Sequence, residues 1–239
     1  MRKTAVVTGA SRGIGKAIAY KLAEEGYDLS LCCRSSRDSL IRISEELSSG
    51  CGVNVHCFFG DVSDPGFAAG LLEPFETLDV LVNNAGVSHI GLLQDMSDEE
   101  WLKLMGINLN SAFYLSRAAI PLMLRSHSGR IINISSVWGR VGASMETAYS
   151  ASKGAIDSFT RALARELAPS GIAVNALSCG FIDTEMNAHL SEEEKKDLYE
   201  QIPAGRPGTA EEAAECVSLL LKAPAYLTGQ VISLDGGWT

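Results

Sequence analysis

The run Tyr149-Ser150-Ala151-Ser152-Lys153 sets a phenol and an ammonium four residues apart. On a helix that spacing puts both side chains on one face, so the two groups can share a site. A free tyrosine titrates near pH 10, too high for acid–base work at neutral pH. A cation about 4 Å away, at an effective dielectric of about 20, contributes roughly 4 kcal/mol, equivalent to about 3 pH units. The expectation is a phenol drawn toward neutrality, where general acid catalysis works best. Upstream, Asn133-Ile134-Ser135-Ser136 offers a hydroxyl to a substrate carbonyl. Both serines fit, because the two-residue alternation of a strand does not separate them until its faces are known.

A second constellation is Thr8-Gly9-Ala10-Ser11-Arg12-Gly13-Ile14-Gly15. It follows an apolar run and opens an amphipathic one. Gly9 permits a tight turn, while Gly13 and Gly15 let backbone amides and a helix N-terminus approach a pyrophosphate. Ser11, Arg12 and Ile14 complete the loop, and its place between strand and helix points to a dinucleotide. An NAD site usually carries an acid at the end of the second strand, where it holds the ribose 2′-hydroxyl. Here that position is Arg34, after Cys32-Cys33, with Arg12 in the loop itself and Arg37 close by. Guanidinium groups pair with a phosphate and gain nothing from a bare hydroxyl, so the pattern predicts NADP(H). Asp61-Val62, closing the third strand, is expected along the adenine.

Strands must carry these residues and helices must brace them. Strand-length apolar runs cover residues 4–8, 28–33, 53–59, 78–82, 130–135, 172–177 and 230–234. Helical patterns cover 13–25, 36–49, 64–75, 97–124, 148–168, 191–201 and 209–221. Asp64-Pro65 reads as a cap followed by proline at the first helical position, and Ser97 with Glu100 has the capping-box spacing. Alternation of uniformly apolar strands with helices predicts an α/β fold: a seven-stranded parallel sheet covered on both faces. Seven strands in one sheet use the whole length, so one domain over residues 1–239 is expected. Ligands bind such sheets beyond the carboxyl ends of the strands, where both constellations fall.

The 239 residues include 20 Lys+Arg against 29 Asp+Glu, a formal charge of −9, with 46% hydrophobic residues. A chain of this size buries roughly 70–75% of its unfolded surface and needs no metal or disulfide to fold. The acidic balance argues against a nucleic-acid partner and against an anionic membrane. The basic start, Met1-Arg2-Lys3-Thr4, leads into an apolar run that ends at Thr8-Gly9, too short for a signal peptide. No run of about 18 apolar residues suggests a membrane span. The six cysteines lack CxxC spacing, which predicts reduced thiols and a cytoplasmic location. His56, His89, His127 and His189 show no metal-ligand spacing, so no metal is expected.

Together these residues resemble the short-chain dehydrogenase/reductase family along essentially the whole chain. The matching motifs are TGASRGIG from Thr8, Asn83-Asn84-Ala85-Gly86 after the fourth strand, Asn108, Ser136, YSASK from Tyr149 to Lys153, and Leu234-Asp235-Gly236-Gly237. The resemblance implies a Rossmann-type doubly wound fold and a catalytic tetrad of Asn108, Ser136, Tyr149 and Lys153. The family serine lies thirteen residues before its tyrosine, which selects Ser136 over Ser135. NADPH would deliver hydride to a ketone while Tyr149 protonates the oxygen and Ser136 positions it. Lys153 would lower the tyrosine pKa and hold the nicotinamide ribose, and Asn108 would order a water for the proton relay. Asn84, Ala85, Gly86, Ile182 and Thr184 fall in the cofactor-binding pattern. Cys179 stands where the family usually has proline and leaves a thiol near the nicotinamide.

Within the family the similarity is to 3-oxoacyl-[acyl-carrier-protein] reductases, which implies an acyl carrier protein as partner. Basic residues before the fifth and sixth strands serve that docking; here Ser126-His127-Ser128 and Pro169-Ser170 stand there, with Arg125 and Arg130 nearby. A second similarity, carried by the stretch from Ser136 to Ser144 and by Asp183-Thr184-Glu185-Met186-Asn187, is to reductases of the aminopentanone modification on elongation factor P. Trp138 would then face a cationic ketone, and His89 would border the substrate. A reading of another class is a non-catalytic NADP-binding scaffold. Residues 187–202, with Ser191 and Glu194 as a capping box and Glu192 with Lys196 as an i,i+4 pair, suggest a lid. The resemblance also implies a homotetramer in which the helices beginning at Ser97 and Ala148 pack across one interface.

Overall fold

The computed structural model describes residues 2–188 and 190–239; Met1 and His189 lie outside them. Seven strands, β1 (Thr4–Val7), β2 (Asp28–Cys33), β3 (Val55–Phe59), β4 (Val80–Asn83), β5 (Gly129–Ser136), β6 (Ile172–Cys179) and β7 (Val231–Leu234), form one sheet in the order β3-β2-β1-β4-β5-β6-β7. Every pairing is parallel. Side chains alternate across the sheet. Ala5, Val7, Leu29, Leu31, Val80 and Val82 face one core, and Val6, Cys32 and Leu81 face the other.

The first core is closed by α1 (Gly13–Glu24), α2 (Arg37–Cys51) and α9 (Ala210–Lys222), through Ile18, Leu22, Leu40, Leu47 and Val217. The second is closed by α3 (Pro65–Gly70), α5 (Ser111–Ser126) and α7 (Thr147–Leu167), through Ala68, Leu115, Met123, Leu163 and Leu167. Each fully buried Leu or Met contributes roughly 1.5–3 kcal/mol, and the doubly wound arrangement leaves the central strands apolar on both faces. The remaining helices are α4 (Asp98–Met105), the four-residue α6 (Trp138–Val141) and α8 (Glu192–Gln201). The connection from β3 to β4 reverses the direction in which strands are added, so a crevice opens beyond the carboxyl ends of β1 and β4.

Several expectations come out differently. The helix predicted over 97–124 is broken into α4, a π-helical turn Gly106–Asn110, and α5. The turn follows two contacts invisible to periodicity: Gly106 packs against Ser63, and the Asn108 side chain is held by Val87. The helix predicted over 64–75 stops at Gly70; Asp64 accepts from the Phe67 amide at 2.7 Å as expected of a cap, but Leu71 and Leu72 turn into the core. Glu192 pairs with Lys195 at 2.7 Å rather than with Lys196, while the Ser191–Glu194 capping box forms as read. The strands β5 and β6 run further than predicted and pair Ser136 with Cys179. All six cysteines are free thiols, and no helix among the described residues is long and apolar enough to cross a membrane.

Candidate active site

Two adjoining cavities occupy the crevice. The first, about 370 Å³, is lined by Gly9, Ser11, Arg12, Gly13, Ile14, Gly15, Arg34, Asp61, Val62, Asn84, Ala85, Gly86 and Thr184 among others. Gly9 turns at φ +65°, and a Cβ there would lie 3.1 Å from both Ala85 Cα and Asn84 Nδ2. Gly15 has no room for a side chain against the Gly9 carbonyl and Asn84. The Thr8 hydroxyl accepts from the Asn84 and Ala85 amides, each at 2.9 Å, and Asn84 Nδ2 donates to the Thr8 carbonyl at 2.8 Å. Asn84 therefore ties the loop after β4 to the glycine turn. No side chain caps α1 and its first turn holds no acid, so its leading amides and positive dipole end are open to an anion.

At the far end, Arg34 is exposed and its Nε lies 3.5 Å from Asp61 Oδ2. Burial pushes the Asp61 carboxyl up, but the Ser63 hydroxyl at 2.7 Å and amide at 2.9 Å, with Arg34, hold it below its ordinary value. Arg37, expected beside Arg34, stacks on the Phe59 ring instead, 4.4 Å from its centroid. Ser35 and Ser36 join the lining; the sequence reading missed them, although hydroxyls after a cationic Arg34 are suitable phosphate donors. The donor set therefore fits a dinucleotide with an extra phosphate: free amides at one end, Arg34, Arg12 and two serines at the other.

The second cavity, about 330 Å³, is lined by Ser136, Trp138, Tyr149, Lys153, Ile182 and Thr184 with Phe181, Leu198 and Trp238, and shares Asn84, Gly86 and Thr184 with the first. Ser136 and Tyr149 line the same wall of this cavity, and Ser136 Oγ accepts from the Trp138 amide at 3.2 Å. Ser135 also lines the cavity, but its hydroxyl donates to Asp157 at 2.6 Å. Lys153 Nζ lies 5.6 Å from the Tyr149 ring centroid and donates to the Ile134 carbonyl at 2.8 Å. Phenol and ammonium thus share a face, as the spacing predicts.

Their electrostatics differ from the expectation. Surrounding protein desolvates the Tyr149 phenol and raises its pKa above the ordinary value, despite the opposing Ser136 hydrogen bond. Burial pulls Lys153 down to about 8. The predicted fall of the phenol pKa is corrected: desolvation is the largest influence on it and outweighs the Ser136 hydroxyl.

Asn108 is buried and its side chain is a strut. Oδ1 accepts from the Val87 amide at 2.8 Å; Nδ2 donates to the Val87 carbonyl at 2.9 Å and to Ser152 Oγ at 3.0 Å. Both amide hydrogens are spent on protein, so the expected relay water finds no donor in this side chain. His89 is absent from the cavity lining; its Nδ1 lies 4.0 Å from Glu100 Oε1, while its neighbours Ser88 and Ile90 face inward. Extended chain alternates, and the imidazole falls on the outer side. Thr184 packs over Gly13, and Ile182 is buried. Trp138 meets Trp238 edge to face at 4.9 Å. Trp238 escaped the sequence reading because the tail is brought back over the cavity by contacts distant in sequence, the Ala204 amide donating to the Gly236 carbonyl at 3.0 Å, as well as by Asp235 accepting from the Gly237 and Thr239 amides. The Cys179 thiol is buried and pushed up to about 12, which leaves it protonated and unreactive.

The model of the family described as short chain dehydrogenase matches residues 3–195. The chain is 40% identical over 240 residues to the uncharacterized oxidoreductase YmfI of Bacillus subtilis, covering 100% of this chain and 99% of the relative. It is 41% identical over 242 residues to the 3-oxoacyl-[acyl-carrier-protein] reductase FabG of Staphylococcus aureus, covering 99% and 98%. Among solved structures it is similar to YwfH, an NADPH dependent reductase involved in bacilysin biosynthesis, with TM-score 0.93 and 30% identity over 100% and 99% of the two chains. A candidate NAD(P) dependent gluconate 5-dehydrogenase from Beutenbergia cavernae, solved with NADP at low occupancy, gives TM-score 0.90 and 37% identity over 99% and 96%. With the glycine turn, the Ser136–Tyr149–Lys153 cluster and these similarities together, the chain belongs to the short chain dehydrogenase family and is an oxidoreductase.

Proposed function

We propose that this chain is an NADP(H)-dependent carbonyl reductase acting in the cytoplasm, with a 3-oxoacyl thioester on an acyl carrier protein as its substrate. The observation that carries the reading is the meeting of Ser136, Tyr149 and Lys153 where the glycine-turn cavity opens into an apolar one. The amides opening α1 would take the pyrophosphate, and Arg34 with Arg12 the 2′-phosphate. Asp61 and Val62 would lie along the adenine, and Ile182 and Thr184 beside the nicotinamide. The bound dinucleotide supplies a hydride. Ser136 would orient the substrate carbonyl, Tyr149 would give the oxygen its proton, and Lys153 would hold the ribose and restore that proton. Asn108 would act through Ser152 and Val87, by fixing the first turn of α7 and the loop after β4. Helix α8, whose Tyr199 meets Phe181 at 5.9 Å and whose Leu198 lines the cavity, would close over the substrate. The functional unit would be one domain over residues 1–239, assembled as a homotetramer.

A second substrate, the aminopentanone of modified elongation factor P, is favoured by two observations. Arg125 and Arg130 are tied to the Glu76, Gly129 and Ala223 carbonyls, which leaves few free cations for an acidic carrier. Trp138 and Trp238 form an aromatic wall suited to a cation. NADPH oxidation measured side by side with a 3-oxoacyl thioester and with modified elongation factor P decides between them. Turnover of the thioester alone supports the first reading and of the modified protein alone the second. NADPH binding with no turnover of either, or of a wider ketone panel, favours a scaffold.

A further inference from the structure

Helix α7 carries a second buried ionisable group that the proposed chemistry does not use. Asp157 follows Lys153 by four residues, so both lie on the same helix face, and each is only 4% exposed. The strand beside them clamps both. The Ile134 carbonyl takes the Lys153 ammonium at 2.8 Å, and the next residue, Ser135, donates to Asp157 Oδ1 at 2.6 Å. Two consecutive residues of β5 therefore fix a cation and an anion one helical turn apart.

We infer that Asp157, locked by Ser135, is a positioning residue that holds the Lys153 ammonium charged and aimed toward Tyr149. This rests on the proposed carbonyl reductase reading for its role in turnover. Among the described residues, the groups facing Lys153 leave Asp157 as its one countercharge. From α7 these are Tyr149 and Asp157; from β6, Cys179; from β5, the Ile134 carbonyl; from the π-helical turn, the Asn108 amide beside Gly86. Tyr149 is half-buried and Cys179 buried, and both keep their protons at neutral pH. Asp157 is faced in turn by Ser135, Lys153 and Arg161, and Arg140 lines the same hollow behind it. Burial lowers Lys153 to about 8, so its charge at working pH depends on whatever anion lies near.

Lysine labelled with ¹³C at Cε allows the Lys153 midpoint to be followed by NMR, with Lys153→Arg identifying the signal. In Asp157→Asn the midpoint should fall by about one pH unit. Ser135→Ala, which keeps the carboxylate but frees it, should lower the midpoint by less. Parallel profiles of kcat/KM for ketone reduction should show the alkaline limb moving to lower pH by the same amounts. An unchanged Lys153 midpoint in both variants overturns the inference, as does a uniform loss of activity without movement of the limb. Should Asp157→Asn fail to fold, an unmoved midpoint in Ser135→Ala is sufficient to overturn it. A wild-type protein that turns over no ketone tells against the reductase reading, while the NMR titration still answers for Asp157.

Discussion

Tyr149 keeps its proton because its surroundings disfavour the phenolate, which suits a group that must donate rather than accept in the ground state. In the proposed reaction its partner would be Ser136, since the Ser135 hydroxyl donates to Asp157 and the Cys179 thiol is pushed up to about 12. Tyr149→Phe removes the proton and keeps the ring. Ketone-dependent kcat should fall at least about 100-fold, with the NADPH dissociation constant within about twofold of wild type; retained turnover would falsify the assignment. At the other end of the crevice, Arg34 is the exposed cation nearest Asp61. A charge-assisted hydrogen bond to phosphate is worth about 1.5–3 kcal/mol, so Arg34→Ser should weaken NADPH binding roughly 10- to 100-fold and leave NADH binding nearly unchanged. Equal losses for the two nucleotides would remove Arg34 from phosphate recognition. The pairing of Tyr149 with Lys153 was legible from spacing alone. The direction of their pKa shifts was not, because desolvation depends on what the rest of the chain packs around them.

The strand and helix pattern was legible wherever local chemistry decides it. Asp64-Pro65, Ser97 with Glu100, and Ser191 with Glu194 cap helices as their spacing requires. The π-helical turn at Gly106–Asn110 was not legible, since it answers to Ser63 and Val87, both distant in sequence. The same limit hid the C-terminal tail and turned His89 outward toward Glu100. The glycine turn shows the opposite case, in which the motif residues carry packing and binding together. Gly15 lies against the Gly9 carbonyl and Asn84 Nδ2, with no space for a Cβ. Gly15→Ala must therefore push the turn away from the loop after β4 and break the Asn84–Thr8 tie. Overpacking of this kind costs about 1–3 kcal/mol. The variant should show a lower urea midpoint and a loss of NADPH affinity of at least tenfold. Thr209→Ala, which removes only the cap of α9, should cost about 1 kcal/mol with NADPH affinity intact. A Gly15→Ala protein that binds NADPH normally would separate the turn from the cofactor.

For the molecule as a whole, burying Lys153 has a signature in stability against pH. Its folded midpoint is about 8, against about 10.4 for a lysine in water. Between those values the unfolded chain still binds a proton that the folded chain has released, so stability rises with pH across that window. Below about pH 8 both states hold the proton and the folded chain bears the full cost of the buried charge, roughly 3 kcal/mol. Tyr149 works the other way at higher pH: its raised folded pKa keeps a proton the unfolded chain has lost, and stability falls above about pH 10. Lys153→Met removes the first effect and leaves the second. Asp157 loses one neighbouring cation in that variant but keeps Arg161 and the Ser135 hydrogen bond, which trims the gain without reversing it. Urea unfolding of the cofactor-free protein should therefore find Lys153→Met more stable than wild type by about 1–3 kcal/mol at pH 7, with the difference shrinking steadily from pH 8 to pH 10. A difference that stays constant over that range means the ammonium is solvated in the folded chain, and the buried charge that Asp157 is argued to hold is then not there to be held.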